Sequence, residues 1–350
     1  MSERILIVAP SWVGDAILSE PLIARLSALH ANPAIDVLAP PWCAPVYARM
    51  RGVREVIANP FGHGRLALRA RAALARTLRA RAPQERYTRA VVLPNSWKSA
   101  LVPWLAAIPV RTGYRGESRW GLLTDVRRLS RRASPRLVDR FVALAEDAGA
   151  PPPAPASIPV LVPDAANRAA AAQALGLTGT RPVAALCPGA EYGPAKRWPA
   201  EHFAALAARF AADGMQVWLI GSPNDRTAAE SVAAAAGLAP PALANLAGAT
   251  DLGTAIDLLS IATVVVSNDS GLMHAAAAVG VPLVALFGSS STAYTPPLSP
   301  RARIAKIDIA CSPCFKRECP LGHFRCLRDL APDAVYDLAR SREITIADPH

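Results

Sequence analysis

The sequence predicts an α/β protein with two Rossmann-like domains, each built on a parallel sheet, and a cleft between the domains. Three observations lead to this prediction. Short apolar strand patterns alternate with helix patterns along the chain. A proline-rich stretch, residues 151–159 (PPPAPASIP), divides the chain near its middle. A strand–turn–helix–strand pattern at residues 264–288 is typical of a nucleotide site.

The first half begins with an apolar run and then alternates between strand and helix patterns. Strands are predicted at Arg4–Ala9, Ile35–Leu38 and 91–93, with a loop at Pro10–Gly14 and a helix from Asp15 to about His30. Further helical patterns lie at residues 66–81, 97–107 and 136–148. Strands that alternate with helices predict a parallel sheet.

The same alternation restarts after the proline-rich linker. Strands are predicted at 183–187 and 216–221, before the 264–288 pattern, and helices at 200–213, 226–236, 252–260 and 332–340. We therefore expect an N-terminal domain at residues 1–152, a C-terminal domain at 153–330 and a terminal helix and tail at 331–350. An active site is expected at the carboxyl ends of the strands.

The composition is that of a globular protein, with 52% apolar and 19% charged residues among 350. The longest uncharged run, residues 270–300, contains prolines and glycines and is not a bilayer span. The apolar run near the N-terminus is too short for a signal peptide. A cytoplasmic enzyme is the expectation.

The net positive charge is confined to the first half of the chain. Residues 1–150 contain 23 Lys and Arg against 11 Asp and Glu, whereas residues 151–350 contain 15 against 16. Such an excess attracts phosphate-bearing partners. A solvated arginine-rich face accounts for much of it, but the one-sidedness of the excess favours an acidic partner.

The turn at residues 268–271 follows a strand and opens a helix, so its backbone N–H groups and the helix dipole favour an anion. Asp269 and His274 flank this turn. Together they indicate a nucleotide whose phosphates lie at the helix N-terminus. His274 either contacts the nucleotide or packs within the first turn of its helix.

A second loop, residues 187–199, has glycines whose N–H groups suit a pyrophosphate. Lys196 is the nearby residue that places a compact positive charge on it, or else it is an ordinary surface lysine. Asp15 and Asp225 each follow a strand and begin a helix, so each is a helix cap or a functional acid. Asp15 is a candidate base and Asp225 a candidate ribose contact.

Several motifs are absent from the sequence: Asp-x-Asp, GxGxxG, GxxxxGK[ST] and GxSxG. We therefore expect no dehydrogenase, P-loop or hydrolase chemistry, no cofactor and no catalytic metal. Four of the six cysteines follow a C-x2-C-x4-C-x6-C pattern with a histidine among them: Cys311, Cys314, Cys319, His323 and Cys326. We expect reduced cysteines in a tight loop, with structural zinc as the alternative.

With these motifs in place, the chain resembles the ADP-heptose:lipopolysaccharide heptosyltransferases of glycosyltransferase family 9, the type II enzymes more than type I. The similarity runs through essentially the whole chain. It is carried by SWVGDAI at 11–17, LPNSWKSAL at 93–101, RTGYRGESRWGLLTDVR at 111–127, PGAEYGPAKRWP at 188–199, SNDSGLMHAAAAVGVPLVALFGSSS at 267–291 and CSPCFKRECP at 311–320.

The resemblance implies a GT-B fold and a metal-independent, inverting glycosyltransferase. Asp15 matches the family's proposed base and Lys196 its phosphate contact. Residues expected around ADP-heptose are Gly14, Gly189, Glu191, Tyr192, Asp225, Thr250, Asp269, Ser270, Gly271 and His274. Type I enzymes have threonine at two phosphate contacts where this chain has Glu191 and Tyr192, so contacts there are expected from the backbone.

The expected reaction is transfer of L-glycero-D-manno-heptose from ADP-heptose to the first heptose of heptosyl-Kdo2-lipid A, an anionic lipid-linked acceptor. The enzyme is expected to act as a monomer, peripherally on the inner face of the inner membrane, without nucleic acid. Acceptor contacts are expected from Arg65, Arg69, Lys98, Arg115 and Arg119. The alternatives are a type I heptosyltransferase acting on Kdo2-lipid A, a sugar-nucleotide 2-epimerase, and a basic membrane-surface scaffold without turnover.

Overall fold

The computed structural model describes residues 3–61, 66–130, 132, 134–150, 156–177 and 179–341. The chain divides into two compact units, unit 1 (Met1–Pro159) and unit 2 (Val160–His350). Each unit has its own sheet and its own buried core.

The described part of unit 1 contains a parallel sheet of six strands. In chain order they are β1 (Arg4–Val8), β2 (Ala34–Ala39), β3 (Val53–Ala58), β4 (Arg89–Val92), β5 (Val110–Tyr114) and β6 (Asp125–Arg127). The order across the sheet is β3-β2-β1-β4-β5-β6, and every neighbouring pair is parallel. Strands are therefore added on one side of β1 up to β3 and on its other side from β4 onwards. The position between β1 and β4 is the switch point, where ligands bind in such sheets.

Six α-helices connect these strands in the described residues. They are α1 (Val13–Leu18), α2 (Glu20–Leu29), α3 (Ala44–Tyr47), α4 (Leu68–Arg79), α5 (Leu101–Leu105) and α6 (Leu137–Val142). The strongly basic helix α4 buries only Arg71, Ala75 and Leu78, and it presents its other residues largely to solvent.

Unit 2 repeats this architecture. Its strands are β7 (Val183–Cys187), β8 (Gln216–Leu219), β9 (Leu243–Asn245), β10 (Val264–Asn268), β11 (Leu283–Leu286) and β12 (Ala302–Ala305). The sheet order is β12-β11-β10-β7-β8-β9, again with all described pairs parallel. The switch point lies between β7 and β10, whose ten residues are all buried.

The helices of unit 2 are α7 (Ala165–Ala174), α8 (Ala200–Ala212), α9 (Arg226–Ala236), α10 (Leu252–Leu259), α11 (Gly271–Ala278), α12 (Arg325–Arg328) and α13 (Pro332–Arg340). Helix α13 packs Val335 into the core of this unit. In the part of the chain that the structure describes, no helix has the length and apolar character needed to cross a membrane.

The predicted parallel α/β class is confirmed, whereas some helix bounds differ. The helix predicted from Asp15 to His30 is two helices, since α1 ends where the Ser19 hydroxyl donates to the Ala16 carbonyl at 2.6 Å. Pro21, which has no N–H to donate, lies in the first turn of α2. The predicted 97–107 helix is a 3₁₀ turn followed by α5, and that at 136–148 shortens to α6.

Candidate active site

Asp15 lies at the switch point of unit 1, because it is in helix α1, the first helix after β1. Helix α1 begins at Val13 with Trp12 as its N-cap, so Asp15 lies within the first turn and is not the cap that its position suggested. A carboxylate there is stabilised by the helix dipole. Burial, with a smaller contribution from the charge of Asp15, raises the pKa of the Cys43 thiol to about 12. The Asp15 carboxylate therefore lies close to Cys43.

The basic and acidic residues of unit 2 meet at its own switch point. Lys196 ends a 3₁₀ turn after β7, and its Nζ lies 2.5 Å from Oδ2 of Asp269, which follows β10. The Ser290 hydroxyl, after β11, donates to the same oxygen. Both carboxylate and ammonium are largely buried, with side-chain exposures of 5% and 18%. This cluster lies beside the N-terminus of α11, where Ser270 is the N-cap and Gly271 the first residue.

His274 lies one turn into α11 and is 5% exposed. Burial lowers the pKa of its imidazole to about 4; the charge of Asp269 acts to raise the pKa and that of Lys196 to lower it. The ring is therefore neutral at physiological pH, and it is close to both partners of the ion pair.

Asn268 joins the turn at residues 268–271 to the loop at residues 187–199, both in unit 2. Its side-chain amide donates to the Pro188 carbonyl at 2.8 Å, and its Oδ1 accepts from the Trp198 N–H at 3.1 Å. The sequence placed Asn268 in the anion-binding turn without assigning it this role, and it did not single out Ser290. The signal for both was their position at the carboxyl end of a buried strand.

Asp225 has the capping role, which is one of the two roles that the sequence left open. Its Oδ2 accepts from the backbone N–H of Ser222 at 2.9 Å and from the Ser222 hydroxyl at 2.7 Å, which caps the turn. Its buried Oδ1 has no hydrogen-bond partner among the described residues. A Cβ on Gly189 would lie 2.1 Å from this carboxyl group, so only glycine fits beside it.

Three further predicted residues lie around this edge of the sheet. The Thr250 hydroxyl is buried and has no hydrogen-bond partner within the described chain. Glu191 is exposed and accepts from the Asn224 amide at 3.4 Å. The Tyr192 hydroxyl donates to the Phe315 carbonyl at 2.9 Å, and its ring centroid lies 5.1 Å from Lys196 Nζ.

The predicted acceptor residues differ in their exposure. Arg69 on α4 and Arg115 after β5 are exposed, and the Arg115 guanidinium lies 5.4 Å from the Trp120 ring centroid. Lys98 is half-buried. Arg119 is 1% exposed and donates to the backbone carbonyls of Pro94 and Tyr114, so its guanidinium supports the fold instead of facing a ligand. Arg65 lies outside the described residues.

The late cysteines line one small cavity of about 20 Å³ together with His323. All six cysteines are free thiols, and Cys311 Sγ lies 4.0 Å from His323 Nε2. Within the described ranges, no cluster of three or more His, Cys, Asp or Glu side chains has the geometry to hold a metal ion.

Comparison with known proteins identifies the family to which the chain is similar. The family model "Glycosyltransferase family 9 (heptosyltransferase)" matches residues 71–325. The chain is 44% identical over 340 residues to lipopolysaccharide heptosyltransferase 2 of Escherichia coli, covering 95% of this chain and 97% of the relative. It is 43% identical over 346 residues to lipooligosaccharide heptosyltransferase 2 of Haemophilus ducreyi, with the same coverage.

The fold is similar to a solved structure described as E. coli ADP-heptose lps heptosyltransferase II. The TM-score is 0.83 at 41% identity, covering 96% of this chain and 97% of the other. The GT-B class expected from the sequence is confirmed. With a family model that matches well over half of its length, the chain belongs to glycosyltransferase family 9, the heptosyltransferases.

Proposed function

We propose that this enzyme transfers L-glycero-D-manno-heptose from ADP-heptose to the first heptose of heptosyl-Kdo2-lipid A. The observation that carries the proposal is the switch point of unit 2, where Lys196, Asp269 and the α11 N-terminus form an anion site in a heptosyltransferase chain. The high coverage by type 2 relatives supports the second heptose as the one transferred.

The donor nucleotide occupies the carboxyl edge of the unit 2 sheet. Asp225 Oδ1 and Thr250 Oγ1 are both buried and without hydrogen-bond partners in the described chain, and they provide an acceptor and a hydroxyl for the ribose and base. Gly189, Glu191 and Tyr192 supply backbone contacts, while Ser270 and Gly271 present the N–H groups of α11 to the pyrophosphate. The neutral imidazole of His274 packs beside the pyrophosphate.

Asp15 is the general base of the proposed reaction. It takes the proton from the acceptor hydroxyl as that oxygen attacks the anomeric carbon, and Gly14 leaves room for the sugars. The bond from the anomeric carbon to ADP breaks with its electron pair on the departing diphosphate. This single displacement inverts the configuration. Lys196 and the α11 N-terminus stabilise the charge that develops on ADP.

The acceptor binds unit 1 through exposed and half-buried cations, which pair with its phosphates and Kdo carboxylates. Arg69, Lys98 and Arg115 are the residues we propose, without Arg119 because it is buried. Exposed tryptophans follow four adjacent strands of this sheet: Trp42 after β2, Trp12 after β1, Trp97 after β4 and Trp120 after β5. Aromatic and cationic side chains together suit an anionic glycolipid at the inner membrane surface, where the enzyme acts peripherally as a monomer.

The test is a transfer assay with ADP-heptose and either heptosyl-Kdo2-lipid A or Kdo2-lipid A, read by mass. We expect one heptose to be added to the first acceptor only. Asp15→Asn is expected to lower kcat by about 10²–10⁴-fold, because it removes the base while keeping the side-chain size. Lys196→Ala is expected to lower kcat by about 10²-fold.

The matched control is Asp147→Asn, which removes an exposed carboxylate from the same unit and is expected to leave kcat unchanged. Wild-type kcat in Asp15→Asn would contradict the mechanism. Addition to Kdo2-lipid A alone would instead assign a type I activity.

A further inference from the structure

The charge of the donor site is incomplete without a second cation. Lys196 is already paired with Asp269 at 2.5 Å, so the pair brings little net charge to its surroundings. The diphosphate of a departing nucleoside diphosphate carries at least two negative charges, and Glu191 lies on the neighbouring loop. Neutral His274 adds no charge either. A further positive group is needed for a fully compensated site.

Arg317 is the cation that meets this requirement. Its guanidinium carbon lies 5.2 Å from the centroid of the Tyr192 ring, the same ring that Lys196 Nζ approaches to 5.1 Å. The side chain is exposed, and no carboxylate of the described residues lies within ion-pair distance of it. An exposed cation–π contact is weak, so the guanidinium exchanges it readily for an anion.

The backbone that carries Arg317 is fixed against the donor loops. The Arg317 carbonyl accepts from the Ala195 N–H at 3.0 Å, and the Phe315 N–H donates to the Ser289 carbonyl at 2.7 Å. A Cβ on Gly193 would lie 2.6 Å from the Arg317 carbonyl oxygen, so the approach of the two segments depends on glycine. The loop therefore delivers Arg317 to one place beside the Lys196 turn.

We propose that Arg317 is a donor-recognition residue that binds the diphosphate of ADP-heptose. Its positive charge compensates for the neutralisation of Lys196 by Asp269. The inference rests on the proposed function. A guanidinium makes two parallel hydrogen bonds to phosphate oxygens, which a lysine does not reproduce.

The test is calorimetric titration of the enzyme with ADP and with adenosine, for wild type, Arg317→Ala, Arg317→Lys and Lys316→Ala. We expect Arg317→Ala to weaken ADP binding about 10- to 100-fold, with adenosine binding unchanged, and Arg317→Lys to restore part of the loss. Lys316→Ala is the matched control, since it removes the adjacent exposed cation. It is expected to bind ADP like wild type.

Wild-type ADP affinity in Arg317→Ala would overturn the inference, as would an equal loss in Lys316→Ala, which would indicate a general charge effect. Because ADP binding is measured without acceptor, these outcomes are separate from those of the transfer assay. An enzyme that binds ADP through Arg317 but transfers no heptose would overturn the proposed reaction alone. Absence of ADP binding in wild type would overturn both.

Discussion

Asp269 is the residue on which the donor-site electrostatics depend. Its carboxylate accepts from Lys196 and Ser290 and lies near the buried His274 ring. Lys196, Asp269 and His274 were predicted from the sequence, because each lies in or beside a turn after a buried strand. Ser290 and Asn268 were not assigned, since their roles depend on contacts between segments that are distant along the chain.

His274 makes a testable contribution to the pH dependence of stability. Its pKa falls from 6.5 to about 4 on folding. The unfolded state therefore binds the extra proton below pH 6.5, and stability decreases as the pH falls from 6.5 towards 4. Between pH 7 and pH 5 this costs about 2 kcal/mol.

We expect His274→Gln to remove this component, so that its free energy of unfolding decreases about 2 kcal/mol less than that of wild type over this interval. Urea denaturation at pH 7 and pH 5 measures the difference. An unchanged pH dependence in the variant would show that His274 is already protonated or accessible in the folded enzyme.

At the scale of elements, a buried ion-pair network joins β2 to its neighbours. Asp36 on β2 is fully buried and binds Arg54 of β3 at 2.5 Å, Arg81 at 3.3 Å and the Tyr87 hydroxyl at 2.6 Å. The sequence shows Asp36 inside an apolar strand but does not reveal its partners. These arginines contribute to the positive excess of the first half, yet they stabilise the sheet.

We expect Asp36→Asn to lower the free energy of unfolding by about 3 kcal/mol, because it leaves two arginines beside a neutral buried amide. Chemical denaturation followed by tryptophan fluorescence measures this. The control is Glu55→Gln, which removes the half-exposed partner of Arg81 at 2.9 Å and should cost less than about 1 kcal/mol. Equal losses in the two variants would refute a special role for the buried carboxylate.

The strands that the sequence predicted correctly are those with mainly apolar side chains. β7 and β10 are buried along their whole length, and their patterns were recognised from the sequence. β5, with the sequence VRTGY, was not predicted because its polar residues and glycine interrupt the apolar pattern. Neighbouring strands and loops, not local propensity, stabilise such a strand.

At the scale of the whole molecule, several arginines of residues 1–150 make hydrogen bonds and ion pairs within the fold. Arg71, Arg111 and Arg119 donate to backbone carbonyls, and Arg54 and Arg81 bind Asp36. Sequence counting does not distinguish these arginines from exposed ones such as Arg69. Fewer basic side chains are therefore available to contact an acidic partner directly than the count of Lys and Arg suggests.

We expect Arg69→Glu with Arg115→Glu to raise the acceptor KM about tenfold at low salt and progressively less at high salt, since screening removes the attraction. The donor KM should not change. Arg181→Glu, which reverses an exposed charge in unit 2, is the control. Steady-state kinetics at two ionic strengths measure the effect, and an acceptor KM that is independent of these charges would contradict acceptor binding by unit 1.

The shared strand order of the two sheets has a consequence for how this enzyme diversifies. Each unit arranges its strands as 3-2-1-4-5-6 and carries its candidate site residues on the segments that follow the central strands. Each sheet is held by its own core, so insertions or exchanges in the unit 1 loops leave the folding of unit 2 intact. With acceptor binding by unit 1 and nucleotide binding by unit 2 as proposed, we expect that grafting these loops from a relative changes the acceptor specificity and leaves the nucleotide preference unchanged.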